Sequence, residues 1–560
     1  MSVDTPNPAR TSVNYDAVPY PNITHHATNP LRTAALARLM GMTPQAPDHC
    51  RVLDIGCATG ANILAMAALY PASEYVGVDL STVQIDQGRA IAAQLGIENI
   101  TFHAVDLAEI DARFGHFDYI IAHGLYSWIP AGARDELMRV CHDNLAPNGV
   151  AYISYNTFPG WHTFSAYREM LLYRTQHLTE PRARIKAAKD FFTFLHNAWP
   201  AERNYHGAFL EGIMNQLERD ADILGNERDS YLFHEYLEEV NEPVYVSQFL
   251  DHADAYGLQY LCDAELHLDF PNGFEPGVAD TIDAMATNLS EYQQYMDHVR
   301  MRAFRRTLLC HKEQEISRTL RVDRLRGLYL GASLRKAPDA PPLHSSDREA
   351  FDAGSGITFT TNHPLTKAAL TLTRTRFPET FRMEQLVQAG AALLQEAERA
   401  AEPATVQPTP IGAQDVAELG ANLLRMVTAY SSMLEVWALP APWASAAGER
   451  PRLSRWARFE LRTSPFVTNL RHERVRLDPL EVAVARLLDG THTAADICAA
   501  LEADVRAGRI VLHDEPHDES APAASPPDVE QGIALLPKAV AERLILLTVY
   551  GLIEDGACTP

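Results

Sequence analysis

Five short apolar segments alternate with segments of helical length between residues 50 and 156, and this alternation limits what the chain can fold into. The apolar segments are 50–55, 74–80, 99–105, 117–122 and 149–156. Between the last two, Ala133–Leu145 places Leu137, Cys141 and Leu145 on one helical face. Buried-type strands separated by helices are typical of an α/β fold with a parallel, doubly wound sheet, which is the fold class predicted here.

The turn after the first predicted strand carries the most informative motif, VLDIGCATG (52–60). Asp54 ends the strand, and Gly56 and Gly60 allow a tight turn at the carboxyl edge of the sheet, where ligands bind in this fold class. The dinucleotide pattern G-x-G-x-x-G would need a glycine at position 58, which is Ala58. An NAD-dependent oxidoreductase is further disfavoured because Asp54 would repel a pyrophosphate.

Two more acidic residues follow the next two predicted strands. Asp79 ends the second strand, 19 residues beyond Gly60, where a carboxylate can accept both ribose hydroxyls of an adenosine. Asp106 follows the third strand, where an acid can meet the adenine amino group. Acids at strand ends are also common caps, but three in this order suit S-adenosylmethionine, which carries a sulfonium and an ammonium. Ser81 and Gln84 predict a capping box for the helix after Asp79.

The charge balance limits the partners that we expect. There are 48 Lys and Arg residues against 72 Asp and Glu residues, a formal net charge of −24, so a nucleic-acid partner is not predicted. The same charge would attract basic substrates such as lysine-rich protein segments. Seven cysteines without a CxxC motif, no secretory h-region and no apolar stretch of about 18 residues predict a cytoplasmic protein that is not inserted in a membrane.

No metal site is predicted. His234 and Glu235 begin like the zincin motif H-E-x-x-H, but the fifth position is Glu238. The other histidines show no ligand spacing that would indicate a metal.

Beyond residue 163 the pattern becomes mostly helical. The segment 244–268 predicts a helix, a stop at Gly257 and a strand that could complete the sheet. Composition predicts linkers at Lys336–Gly356, Ala401–Gln414 and His513–Gln531. Segments 363–390 and 478–502 look like two helix–turn–helix units, and the acidic chain favours winged-helix interaction modules over DNA readers.

Several longer segments resemble a known family. VLDIGCATG, YVGVDLS, FDYIIAHGLYSWIP and LAPNGVAYISYN resemble the successive motifs of class I S-adenosylmethionine-dependent methyltransferases. Segments 15–41, 123–130, 154–162, 234–266 and 301–311 resemble bacterial methyltransferases with a methyltransferase regulatory domain, a group that includes protein lysine methyltransferases acting on outer-membrane proteins. The resemblance runs from about residue 15 to 335, and 467–479 is similar to the C-terminal region of the same group. It implies a Rossmann-like methyltransferase sheet and methyl transfer to protein lysine by direct in-line displacement, with S-adenosylhomocysteine as product.

The resemblance also implies which residues form the site. The implied cofactor site comprises Tyr20, Asp54, Gly56, Cys57, Ala58, Gly60, Asp79, Leu80, Asp106, Leu107 and His123. The residues expected near the transferred methyl group are His123, Tyr126, Trp128, Tyr155, Asn156 and His162. Core packing is the alternative for Tyr126, Trp128 and Trp161, and Cys57 is interpreted as a packing residue rather than a nucleophile. The middle glycine of the family motif is Ala58 here.

We predict four domains from these observations. Residues 1–165 form the methyltransferase core with an N-terminal lid at 15–46, and 166–335 form a helical regulatory region. Residues 356–400 form a helical, winged-helix-like module, and 415–560 form a C-terminal helical module with a disordered linker at 513–531. A small-molecule or other acceptor, or a methyltransferase-like regulatory protein without turnover, stays open as an alternative function.

Overall fold

The computed structural model describes residue 18 and residues 23–199, 205–224, 228–336, 340–354, 356–400, 410–430, 433–512 and 529–556. The chain divides into two compact units, Met1–Leu325 with Val427–Ser431, and Arg326–Met426 with Ser432–Pro560. The predicted methyltransferase core lies in the first unit, and so does the predicted regulatory region except for 326–335. The two predicted C-terminal modules fall in the second unit, apart from 427–431.

A seven-stranded sheet of order β3-β2-β1-β4-β5-β7-β6 forms the centre of the first unit. Its strands are β1 (Arg51–Ile55), β2 (Glu74–Asp79), β3 (Ile100–Ala104), β4 (Phe117–Ala122), β5 (Leu145–Asn156), β6 (Leu258–Asp263) and β7 (Phe304–His311). The first five are parallel, as predicted, and only the start of β5 departs from the predicted bounds by more than one residue. Their carboxyl ends therefore lie at one edge of the sheet.

The last two strands come from the region predicted to be mainly helical. Segment 244–268 does complete the sheet, since a helix at 246–255 and a turn at Gly257 lead into β6. β7 runs antiparallel to both β5 and β6. Sequence patterns missed β7 because Arg305 and Arg306 interrupt its apolar run.

Buried ion pairs compensate the charges of β7. Both oxygens of Asp297 accept hydrogen bonds from the Arg305 guanidinium, at 2.8 Å from Nε and 2.7 Å from Nη2, and both side chains are fully buried. Arg302, two residues before β7, donates to the buried Asp263 of β6 at 2.5 Å. A buried charge is stable only when it is paired. The packing of β7 in the sheet therefore depends on carboxylates supplied by other segments.

Helices cover the sheet, and several of them form a separate helical region. They are α1 (Pro30–Leu39), α2 (Ala61–Leu69), α3 (Thr82–Leu95), α4 (Ala131–Asp143), α5 (Trp161–Thr175), α6 (Pro181–Ala198), α7 (Tyr205–Leu224), α8 (Arg228–Leu237), α9 (Val246–Ala255), α10 (Val278–Met285) and α11 (Leu289–Arg300). The predicted face of α4 is confirmed in part. Leu137 and Cys141 are fully buried in the core around the sheet, whereas the third predicted residue, Leu145, lies in β5 because the helix ends at Asp143. A separate core, which includes Leu171, Phe192 and Phe233, joins α5–α8.

The predicted capping box of α3 forms only in part. The Ser81 hydroxyl accepts a hydrogen bond from the Gln84 backbone N–H at 3.2 Å. The Ser81 N–H instead donates to the Asp79 carboxylate at 2.9 Å, which replaces the Gln84 side chain expected there. The cap is thus tied to a residue of the predicted cofactor site.

The second unit combines short strands with helix pairs. Its strands are β8 (Tyr329–Gly331), β9 (Arg335–Lys336), β10 (Glu349–Asp352), β11 (Thr358–Thr361), β12 (Phe381–Arg382), β13 (Glu435–Trp437), β14 (Phe466–Thr468) and β15 (Arg474–Arg476). Its helices are α12 (Pro364–Thr375), α13 (Met383–Ala400), α14 (Ala413–Ala429), α15 (Arg455–Glu460), α16 (Pro479–Ala485), α17 (Ala494–Arg506) and α18 (Val529–Val549). Both predicted helix pairs, α12–α13 and α16–α17, are present.

The predicted linkers have different outcomes. The prediction that 336–356 is a linker was wrong, because β10 lies within this segment and pairs with β9 and β11. Residues 401–409 and 513–528 lie outside the described residues, whereas 529–531 belong to α18 rather than to a linker. Among the described helices, none is both long enough and apolar enough to cross a bilayer.

Candidate functional site

The carboxyl edge of the sheet brings together most of the predicted site residues. Asp54 lies in β1, Asp79 ends β2, Asp106 follows β3, His123 follows β4 and Asn156 ends β5. Because these strands are parallel neighbours, five segments that are distant in sequence meet at one edge. β7, which is antiparallel, begins at the same edge, opposite Asn156.

The loop between β1 and α2 turns sharply at two glycines. Gly56 and Gly60 adopt positive φ values of 74° and 79°. The N–H groups of Gly56 and Cys57 both donate to the Val78 carbonyl, at 2.8 and 3.1 Å, which fixes the loop on β2. The loop places the N-terminus of α2 at the sheet edge, and the dipole at a helix N-terminus favours a polar or anionic ligand.

Phe102 of β3 sets the space available to this loop. An added Cβ would lie 2.4 Å from the Phe102 ring at Gly60 and 2.8 Å from it at Gly77. At Gly88 of α3 it would lie 3.1 Å from the same ring. Three glycines therefore pack around one aromatic ring below the loop, and sequence analysis identified only Gly60.

Ala58 occupies a position whose backbone favours glycine. Its φ is 51°, and its N–H donates to the Asp79 carboxylate at 2.9 Å. A left-handed conformation costs a residue with a Cβ about 1 to 2 kcal/mol. The departure from the family motif is therefore accommodated by mild strain and leaves the loop intact.

We expect Ala58→Gly to retain cofactor binding and to change the free energy of unfolding by less than about 1 kcal/mol. The relief of strain is offset by the greater freedom of glycine in the unfolded chain. Thermal unfolding and calorimetric titration with S-adenosylhomocysteine check both values. A loss of binding would show that the Ala58 methyl group itself contacts the ligand.

Asp79 and Asp106 are oriented differently. One oxygen of Asp79 accepts from the Ala58 N–H and the other from the Ser81 N–H, each at 2.9 Å. A carboxylate oxygen can accept a second hydrogen bond, so Asp79 keeps the capacity to meet ribose hydroxyls. Asp106 is exposed and caps the turn at 107–109 through the Ala108 N–H. Leu80, beside Asp79, is about half exposed, at 52%.

Asp54 is buried beneath the N-terminal segment. Its side chain is 4% exposed and accepts a hydrogen bond of 3.4 Å from the Asn62 amide. Burial raises the pKa of Asp54 to about 7, the Asn62 hydrogen bond opposes this, and the charge of Asp79 adds to it. Asn62 also accepts the His25 backbone N–H at 3.1 Å. Asp54 is thus a carboxyl group that a nearby cation would readily ionise.

Two stacked histidines form the next part of the site. The rings of His25 and His123 lie 3.6 Å apart at an angle of 24°, and His123 Nδ1 lies 2.9 Å from the Tyr152 hydroxyl. Burial lowers the pKa of His25 to about 3, and the positive charge of Arg306 adds to this. Burial, His25 and Arg306 hold the pKa of His123 well below its usual range. Both imidazoles are therefore neutral at physiological pH.

Several residues of this cluster have no signal in the sequence. Arg306 of β7 pairs with Glu265, which follows β6, at 2.7 Å. His25, Asn62, Tyr152, Glu265 and Arg306 come from five separate segments, and no spacing pattern links them. The tertiary fold alone brings them together around the two histidines.

Tyr126 and Tyr155 lie in the hydrophobic core of the first unit, and their place beside the methyl group stays a prediction. Tyr155 is 1% exposed, stacks on Phe249 at 4.0 Å and bonds Thr307 at 3.1 Å. Tyr126 is 3% exposed, and its hydroxyl lies 2.9 Å from His252. Burial raises the pKa of Tyr126 to about 12, so its hydroxyl keeps its proton at neutral pH.

The remaining predicted residues lie at the end of β5 or in the segments that follow β4 and β5. Trp128 is partly buried in the turn at 126–128. Asn156 is 2% exposed and donates to Asn241 at 3.3 Å, whereas His162 is exposed and stacks on Phe158 at 4.0 Å.

Three further expectations concern the lid, Cys57 and Leu107. Tyr20 lies outside the described residues; of the predicted lid, Val18 accepts a hydrogen bond from His234 at 2.7 Å. The Cys57 thiol is buried, which raises its pKa well above the usual value, and Leu107 packs against the sheet core. Among the described residues, no group of three His, Cys, Asp or Glu side chains could hold a metal ion.

Three family models match the chain. A methyltransferase domain matches residues 52–149, a predicted methyltransferase regulatory domain matches 228–311, and the C-terminal winged helix domain of PKMT matches 449–536. The regulatory match includes β6 and β7, so this region contributes two strands to the catalytic sheet.

Comparison with whole chains extends these matches. RP789, an uncharacterized protein of Rickettsia prowazekii, is 30% identical over 511 residues, which cover 90% of this chain and 88% of the relative. PKMT2 from Rickettsia typhi has a TM-score of 0.79 at 26% identity and covers 96% of this chain and 100% of its own. A second PKMT2 structure, in complex with AdoHcy (S-adenosylhomocysteine), matches with the same TM-score at 25% identity. The chain therefore belongs to the family of S-adenosylmethionine-dependent methyltransferases that includes RP789 and PKMT2.

Proposed function

We propose that the protein transfers methyl groups from S-adenosylmethionine to lysine side chains of a protein. The observation that carries this proposal is the match to PKMT2, a protein lysine methyltransferase, along nearly the whole chain. The match of 449–536 to the winged helix domain of PKMT supports it, because this domain lies outside the methyltransferase core.

The residues at the sheet edge fit the donor. In the proposed arrangement, the loop 56–60 with Cys57 lies against the methionine portion, Asp54 faces its ammonium, and Asp79 binds the ribose. Leu80, Asp106 and Leu107 then lie beside the adenine. The positive-φ turn, the buried carboxyl group and the exposed apolar Leu80 support this orientation.

A lysine acceptor must lose its proton before it attacks. With a free pKa near 10.4, deprotonation costs about 4 to 5 kcal/mol at neutral pH. The methyl group bound on sulfur supplies the electrophile, and the rate depends mainly on the alignment of the two reactants.

The surroundings of His25 and His123 would lower that cost. Burial and Arg306 disfavour positive charge on both imidazoles, and the same environment would disfavour an ammonium held beside them. The acceptor would therefore enter the neutral, nucleophilic form by losing its proton to solvent. We assign the stacked pair to the wall of the site rather than to a general base.

The affinity for S-adenosylhomocysteine should rise with pH, by roughly tenfold between about pH 5.5 and pH 7.5. Asp54 holds its proton up to about pH 7 in the free protein, and the ligand ammonium favours the ionised form. Binding then releases a proton, so affinity increases until Asp54 is ionised in the free protein. In the absence of ligand, the free energy of unfolding changes with pH in the opposite direction. The folded state binds the Asp54 proton more tightly than the unfolded chain does, so stability falls as pH rises from about 4 to 7.

Calorimetric titration across this range tests the linkage, with Asp54→Asn as the matched variant. The variant should bind more weakly at the upper pH and lose the pH dependence. A flat profile for the unaltered protein would contradict the proposed contact between Asp54 and the ammonium.

Transfer of labelled methyl groups to a cell lysate, followed by mass spectrometry of the labelled species, tests the acceptor. We expect label on lysine side chains of protein, and none with Asp54→Ala. Label confined to small molecules would replace the lysine proposal by a small-molecule acceptor. Absence of any transfer, with cofactor binding intact, would favour a regulatory protein without turnover.

We also propose the cytoplasm as the compartment. The six cysteines of the described chain are all free thiols, and five of them are buried. Reduced thiols are typical of the cytosol.

A further inference from the structure

The segment 241–244, which leads into α9, joins the turn after β4 to the end of β5. The Glu242 N–H donates to the Ser127 carbonyl at 2.8 Å, and the Val244 N–H donates to the Asn156 carbonyl at 3.2 Å. This segment lies within the matched regulatory domain. The regulatory region therefore holds the sheet edge at the candidate site, in addition to supplying β6 and β7.

Asn156 lies on the face of the sheet that carries the stacked histidines. The hydroxyls of Tyr152 and Ser154 lie 2.9 and 3.4 Å from His123 Nδ1, and side chains two residues apart in a strand share a face. Asn156 is the next residue on that face, about 7 Å further toward the carboxyl edge. Phe304, its partner in β7, meets the His123 ring edge-on at 6.1 Å. Asn156 therefore borders the wall of the proposed acceptor site.

The Asn156 side chain keeps one hydrogen-bonding end free. Its Nδ2 donates to Asn241 Oδ1 at 3.3 Å, and its backbone N–H and carbonyl both have partners. Among the described residues, none donates a hydrogen bond to Asn156 Oδ1, although the residue is only 2% exposed. A nearly buried carbonyl oxygen without a donor is costly, so it indicates that a ligand or a water molecule supplies the donor.

Asn241 fixes the direction of that oxygen. An amide has one accepting and one donating end, so the bond from Asn156 Nδ2 to Asn241 Oδ1 turns Asn156 Oδ1 away from Asn241. The other end of Asn241, Nδ2, is buried and has no hydrogen-bond partner in the part of the chain that the structure describes. An unpaired buried donor lowers stability, so Asn241 holds Asn156 at a cost to the fold.

We propose that Asn156 orients the acceptor amine and that Asn241 positions Asn156 for this task. A neutral lysine amine donates one N–H to Asn156 Oδ1, which leaves its lone pair free to face the methyl group. The N–C bond forms as the C–S bond breaks, and the electron pair of the broken bond remains on sulfur. The methylated ammonium then loses one proton to solvent. The inference rests on the proposed function, because it requires an amine as acceptor.

An uncharged oxygen suits an amine that must be neutral in order to react. A carboxylate in the same place would favour the ammonium form, whereas an amide carbonyl orients an N–H without adding a negative charge. This agrees with the surroundings of His25 and His123, which hold both imidazoles neutral at physiological pH. Asn156→Asp, which has nearly the same shape, therefore separates the effect of orientation from the effect of charge.

The initial rate of labelled-methyl transfer to lysate protein at saturating donor, measured between about pH 7 and pH 10, tests the proposal. Asn156→Leu should lower the rate by about tenfold or more, because the amine loses its alignment. Asn156→Asp keeps an acceptor oxygen but should move the rise of the rate to higher pH, by about one unit or more. Calorimetric titration should show that both variants bind S-adenosylhomocysteine as tightly as the unaltered protein.

Variants of Asn241 test its positioning role. Asn241→Leu removes the oxygen that accepts from Asn156 Nδ2 and should lower the rate by about fivefold or more. Asn241→Asp keeps that oxygen and loses only an N–H group without a partner, so it should retain most of the rate. As a control, Asn288→Ala removes the cap that accepts from the Glu291 N–H at 2.9 Å. It should lower thermal stability without changing the rate or its pH profile.

The outcomes separate this inference from the function on which it rests. If the unaltered protein labels no lysine, the proposed function is wrong and the inference falls with it. If lysine is labelled at an unchanged rate by Asn156→Leu, the inference alone is overturned, and Asn156 Oδ1 binds only water. An unshifted pH profile in Asn156→Asp would overturn it as well, and this variant decides the question if the leucine variant does not fold. Equal losses of rate in Asn241→Leu and Asn241→Asp would exclude the positioning role of Asn241.

Discussion

Replacement of Gly60 by alanine is expected to weaken S-adenosylhomocysteine binding by at least about thirtyfold. The left-handed backbone of Gly60 would cost alanine about 1 to 2 kcal/mol. The new methyl group would also lie 2.4 to 2.5 Å from two atoms of the Phe102 ring, so either the loop or the ring must move. A total loss of about 2 kcal/mol corresponds to roughly thirtyfold in affinity.

A matched glycine separates this effect from a general loss of stability. Gly132→Ala in α4 places its methyl group in open space and should leave both binding and thermal unfolding nearly unchanged. Phe102→Leu in the Gly60→Ala background should recover part of the affinity, because it frees space beneath the loop. Calorimetric titration measures all three variants. Unchanged affinity in Gly60→Ala would show that the ligand does not depend on the shape of this loop.

The second large effect concerns the stability of the sheet. Asp297→Ala is expected to lower the free energy of unfolding of the first unit by about 3 to 5 kcal/mol. The substitution would leave the fully buried Arg305 guanidinium without its two charge-assisted hydrogen bonds. Because Arg305 lies in β7 beside β5, we expect a large decrease in the temperature of the first unfolding transition.

The exposed pair Lys186–Asp190 provides a control at the same separation, 2.7 Å. Asp190→Ala should cost no more than about 0.5 kcal/mol, because water screens an exposed ion pair. Joint replacement of Asp297 by leucine and Arg305 by methionine should restore most of the stability that Asp297→Ala loses. A decrease of similar size in Asp190→Ala would contradict the importance of burial.

The sequence predicted the part of the site that depends on strand ends. Asp54, Asp79 and Asp106 each follow or end an apolar run, and parallel strands necessarily place such residues at one edge. The glycines of the loop were predictable because the turn is local and a positive φ selects for them. The departure at Ala58 was also visible, although its backbone conformation was not.

The other half of the site depends on contacts between distant segments. His25 stacks on His123 although the two residues are 98 positions apart in the sequence. The positive charge of Arg306 acts on both from β7, a strand that sequence analysis missed because of its charged residues. Tyr126 and Tyr155 show the converse. Their positions near the ends of the fourth and fifth strands suggested a ligand contact, and the structure packs both against Phe249 in the core.

The sequence by itself determined the parallel sheet, the cofactor loop and the order of acids along the sheet edge, because strand periodicity and turn chemistry act over a few residues. Only the tertiary structure decided that β7 joins the sheet beside β5 and that two neutral imidazoles stack beside the sheet. Those features depend on burial and on charge partners from remote segments, and no local pattern carries that information.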